Sequence, residues 1–145
     1  MDIASLKKDA SAIAGGQWVG EIPGMGDMRL RVRGLTSPQV IALRSRLERQ
    51  VPKDQRERDG SLTVAANLRV FAEVLHKGVL LEWDGLTDGG KPVAYEAALA
   101  EEWLTNPDYR SFADAVTWAA GVVDNGNAES TEDLAKNLQK PSAGK

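Results

Sequence analysis

The sequence predicts an α+β fold, mostly α: an N-terminal β-hairpin followed by four main helices around a central apolar helix, with a flexible C-terminal tail. Three observations predict it. Met28-Arg29-Leu30-Arg31-Val32-Arg33 alternates strictly between apolar and basic residues, the period of a strand with one buried face. Residues 62–82 carry a long apolar run at helical spacing. Ser37-Pro38 and Asn106-Pro107-Asp108 each set a capping side chain ahead of a proline, which marks a helix start.

A chain of 145 residues is a prior for one domain with a real core. We place that domain at 16–124, between an N-terminal arm at 1–15 and a weakly structured tail at 125–145. In the arm, Ile3, Leu6 and Ile13 are irregularly spaced, which suits a loose segment or a short helix. The hairpin spans 17–33: Trp18, Val19 and Ile22 supply the partner strand, and Pro23 to Asp27 form a turn-rich connection. Two strands alone are marginal in water, so their apolar face must rest on helices or on another copy.

The first long helix covers about 37–51, with Val40, Leu43 and Leu47 as its buried stripe and Pro52 as its stop. Lys53 to Ser61 reads as a solvated, charged loop. The central helix, 62–82, has one stripe of Val64, Leu68, Phe71 and Leu75 and another of Ala66, Val70 and Val74. Only Arg69, Glu73 and Lys77 form a polar seam, so this helix should be surrounded by other elements. Gly78 costs about 1 kcal/mol against alanine inside a helix, which implies a close contact or the helix end.

Beyond a glycine- and aspartate-rich turn at 83–92, a helix at 94–104 carries Tyr95, Leu99 and Trp103. The next, at 107–123, aligns Tyr109, Phe112, Val116, Ala119 and Val123, with Trp118 read as core beside them. Asp124-Asn125-Gly126-Asn127 stops it. Ser130-Thr131 can cap one more short helix, but its large apolar residues are Leu134 and Leu138 alone, too few to hold it to a core.

Composition removes several chemistries. Without cysteine there is no disulfide, thiolate zinc site or thiol nucleophile. The single histidine, His76, has no second histidine as a metal co-ligand. Gly24-Met25-Gly26 lacks the third glycine of a dinucleotide fingerprint. Asp84, Asp88 and Gly89 fit a calcium loop at three positions, but Leu86 and Tyr95 occupy its third and twelfth, where oxygen ligands are needed. Glu101 and Glu102 have no visible pocket to shift their pKa. We expect no enzyme, no cofactor and no metal. No apolar window suits a signal peptide or a bilayer span, so we expect a soluble protein of a reducing cytoplasm.

The net charge of −3 hides an asymmetry. Residues 29–58 hold nine bases against three acids, and residues 82–114 hold eight acids against two bases. The halves can neutralise each other within one fold or between copies stacked head to tail. The Arg29, Arg31 and Arg33 face is either a solvated strand face that discourages edge pairing or a site for an acidic protein. Trp83, at an element end, is a packing lid or a contact residue.

The order Trp18…Ile22-Pro23-Gly24…Gly26-Asp27, Val32-Arg33-Gly34, Leu80-Leu81-Glu82-Trp83-Asp84-Gly85-Leu86-Thr87-Asp88, Pro92 to Tyr95 and Asn106-Pro107-Asp108-Tyr109 resembles the tail assembly chaperones of tailed bacteriophages and prophages. The Leu-x-x-Trp-x-Gly-Leu-x-Asp junction is its most specific piece. The resemblance implies a protein that binds and solubilises the tape measure protein during tail morphogenesis, self-associates, and is displaced by tail tube protein. It implies the host bacterial cytoplasm as location and absence from the mature virion, with no nucleic acid or membrane as partner. In many such phages a ribosomal frameshift makes a longer product that recruits the tube protein, and Ala135-Lys136-Asn137 suits an adenine-rich slippery heptamer. Candidate partner and self-association residues are Trp83, Leu86, Trp103, Arg29, Arg31, Arg33, Leu134 and Leu138. Two other readings stay open: a structural virion subunit (tail completion or head–tail joining), and a small DNA-binding regulator using residues 29–58.

Overall fold

The computed structural model describes residues 1–128. The alternating segment forms the strand that its period predicts. β1 (Gln17–Val19) pairs antiparallel with β2 (Arg29–Val32), and Met28, Leu30 and Val32 are all buried. The hairpin is not alone, however. β3 (Leu80–Asp84) pairs antiparallel with the far side of β2, giving the order β1-β2-β3. β2 is therefore the central strand, and its arginines do not guard an edge.

Five α-helices complete the described fold: α1 (Ala10–Gly15), α2 (Pro38–Arg49), α3 (Val64–Val74), α4 (Ala97–Thr105) and α5 (Arg110–Asp124). This is the α+β, mostly helical plan with an N-terminal hairpin that the sequence predicts. The buried face of the sheet lies on α5, whose Phe112, Val116, Ala119 and Val123 are all buried, as their spacing requires. Tyr109, at the head of that stripe, is exposed. The arm contributes to the core as well: α1 buries Ile13.

Several elements differ from the sequence reading. α3 ends at Val74, a π turn follows over Leu75–Val79, and residues 80–82 are strand. The wide turn carries the chain from α3 into β3 with Leu75, Val79 and Leu80 all buried. Gly78 sits in this turn because a Cβ there would lie 2.7 Å from Leu43 Cδ2, so both its implied roles hold at once. α4 begins at Ala97, three residues later than 94, with Tyr95 ahead of it in extended chain. The turn at 83–92 contains a small hairpin, β4 (Thr87–Asp88) and β5 (Lys91–Pro92). Gly89 and Gly90, at φ 59° and 84°, supply the two left-handed residues that such a two-residue turn demands.

Helix starts and loops show where side chains go instead of where they are expected. Ser37 stands at the N-cap of α2, yet its hydroxyl donates to Ile13 O at 3.2 Å and to Gly34 O and makes no cap. The nearby amides are met from α5: Asp124 accepts from Leu35 N at 2.9 Å, Thr36 N at 3.0 Å and Thr36 Oγ1 at 2.7 Å. Asn106 does cap, accepting from Asp108 N at 2.9 Å. The charged loop 53–61 is folded around Arg56, whose guanidinium donates to Val51 O at 3.2 Å, Gly60 O at 2.9 Å and Glu48 O.

Candidate functional site

Trp83 is 5% exposed and faces inward. Its indole Nε1 donates to Val93 O at 2.8 Å, and its ring meets Tyr95 at 4.9 Å, Trp103 at 5.0 Å and Phe112 at 6.0 Å. The junction that carries the resemblance is thus an aromatic cluster tying β3, the small hairpin and α4 to α5. Leu86 and Trp103 are half-buried against this cluster, and burial pushes the Tyr95 phenol up, with the Glu82 carboxylate adding to the effect. The structure thus places Trp83 inside the packed fold.

The arginine face of β2 is engaged within the chain. Arg29 lies over the Trp18 ring at 5.1 Å. Arg31 donates to Glu82 Oε2 at 3.1 Å and to Gly15 O at 3.1 Å. Arg33 bridges Ala14 O and Gly78 O, both at 3.0 Å, closing the ends of α1 and of the π turn. Arg31 and Arg33 thus hold backbone carbonyls of the chain itself, at exposed Gly15 and at part-buried bonds to Ala14 and Gly78.

Sequence reasoning placed Val64 and Leu68 inside and missed the surface they make. They are 76% and 63% exposed on α3, and Ile41 of α2 is 55% exposed. Only the second stripe of α3, Ala66, Val70 and Val74, is buried. Between the helices Arg44 lies 5.6 Å over the Phe71 ring and pairs with Glu48 at 3.2 Å. Beside Ile41 lies a shallow cleft of about 320 Å³, lined also by Leu35, Val40, Arg44 and Val74. The signal available was weak: two adjoining apolar stripes cannot say which of them faces solvent.

Trp118, which the sequence places in the core, is 42% exposed. It borders a groove of about 630 Å³ with Val19, Glu21, Asp27, Arg29 and Val122, which runs to Asn127 and Ala128. Glu21 holds a left-handed backbone at φ 52°, the one non-glycine residue among those described with positive φ. His76 is half-buried, and desolvation lowers its pKa against the opposing pull of Glu101. Leu134 and Leu138 lie outside the described residues.

The halves of opposite charge meet along β2 and β3. Among the described residues the Arg31–Glu82 pair is the salt bridge that joins them; the other salt bridges link residues four apart in sequence. Most basic side chains of α2 and most acidic ones of α4 and α5 remain at the surface.

A family model described as YdaY prophage protein matches residues 35–137. That span takes in α2 through α5 and the Leu80–Asp88 junction and runs past Ala128. No curated protein and no solved structure matches the chain.

Proposed function

The chain belongs to the YdaY prophage protein family, and from that premise we propose that it is a tail assembly chaperone. It binds the tape measure protein of its prophage non-covalently, keeps that long chain soluble, and gives way to tail tube protein. It acts in the host cytoplasm, has no reactive centre and is left out of the finished particle.

One observation supports this reading above the others. On a prophage-family chain, three large aliphatic side chains, Ile41, Val64 and Leu68, stand in water on neighbouring helices. A face of this kind suits the apolar stripe of a helical client, which is gripped at i, i+3 and i+4 positions. Many weak grips along one long client add up through avidity, which a small self-associating subunit supplies.

The test is co-expression with the prophage's tape measure protein. Wild type should bring it into the soluble fraction and co-purify with it, and Leu68→Glu should leave it insoluble while melting within about 1 kcal/mol of wild type, as exposed sites do. Recovery of the chain at fixed stoichiometry in induced, purified particles would make it a structural virion subunit instead.

A further inference from the structure

We propose that the Trp118 groove is a docking site for this chain's own residues 134–140, which seat Leu134 and Leu138 on Trp118 and Val122 in cis. This goes beyond the chaperone reading and does not depend on it.

Four observations converge on that occupant. The groove is about 630 Å³ and has an apolar floor of Val19, Trp118 and Val122. An indole with two fifths of its surface in water is an apolar surface of the kind that anchors contacts. The last described residues, Asn127 and Ala128, are themselves part of the groove wall, so whatever follows leaves from its mouth. Leu134 is six residues on from Ala128, and an extended chain covers about 20 Å over that stretch, ample to return across the groove.

Charge selects the same segment. Glu21 and Asp27 line the groove, and its one base, Arg29, is held over Trp18. Residues 134–140 read Leu-Ala-Lys-Asn-Leu-Gln-Lys, with two lysines, no acid, and leucines four apart. The family match also extends into this segment as far as residue 137, so Leu134 and Lys136 lie within it. Two leucines cannot hold a free peptide, but a tethered one faces its site at an effective concentration on the order of millimolar.

The absence of cysteine allows a direct test. Asn137→Cys in the full chain takes a single nitroxide label without removing either lysine or leucine, and the Trp118 indole NMR signal is identified by its loss in Trp118→Phe. Docking predicts that the oxidised label broadens the Trp118 indole and Val122 amide signals at least twofold relative to the reduced label. The amide of Leu68, which does not line the groove, should be unaffected. Leu134→Ser with Leu138→Ser should abolish the broadening. Equal intensities with oxidised and reduced label would overturn the proposal. So would comparable broadening when labelled, isotope-free chain is mixed with unlabelled, 15N-enriched chain, since the occupant would then be a second copy.

Discussion

Trp83 shows how one side chain can be both the most recognisable residue of a sequence and a purely architectural one. Its ring fills the space between β3, α4 and α5, and its indole hydrogen satisfies Val93 O. Truncation leaves a cavity and an unpaired carbonyl, so Trp83→Ala should cost about 3–5 kcal/mol, read as a large fall in melting temperature. A variant that melts like wild type would return Trp83 to the surface. His76 gives a second residue-scale prediction. Desolvation holds its pKa below the ordinary value, so the unfolded chain binds the proton more tightly than the folded one. Stability from the neutral imidazole is complete above about pH 6.5 and declines as pH falls below it. Urea unfolding at pH 5.5 and 7.5 should show a loss on acidification that His76→Gln reduces.

At the scale of elements, the hairpin, α2 and α5 were legible because each has one apolar face and one polar face. Met28, Leu30 and Val32 alternate, and Val40, Leu43 and Leu47 recur at helical spacing, so burial follows directly from period. The stretch from Leu62 to Trp83 was not legible in the same way. Its apolar residues satisfy a helix and a strand equally, and only pairing with β2 turns Leu80 to Asp84 into β3. Trp118 was misplaced for a related reason: it sits one position off the buried stripe of α5, where spacing no longer decides. Asp124 reads in the sequence only as part of a helix stop, since its partners Leu35 and Thr36 are distant along the chain. It fastens the end of α5 to the start of α2 with three hydrogen bonds to a carboxylate. Asp124→Ala should therefore destabilise by about 2–3 kcal/mol. Thr36→Val, which removes one of the three donors, should cost less, and equal costs would mean that the backbone amides contribute nothing.

For the whole molecule, the division between a basic α2 region and acidic α4 and α5 leaves two kinds of adhesive surface on one small body. If the aliphatic strip of Ile41, Val64 and Leu68 holds the client, and the opposite charges join copies, the two functions separate under salt. Screening shortens the reach of surface charges from about 30 Å at 0.01 M to about 3 Å at 1 M, while apolar contacts are not weakened by it. Sedimentation of the wild type should then show weight-average mass falling as salt rises, and Glu101→Lys with Glu102→Lys should depress it at low salt. Leu68→Glu should leave that mass profile unchanged yet abolish client solubilisation. A mass that holds or grows with salt, and collapses in Leu68→Glu, would assign self-association to the apolar strip and leave the charge asymmetry without a role between copies.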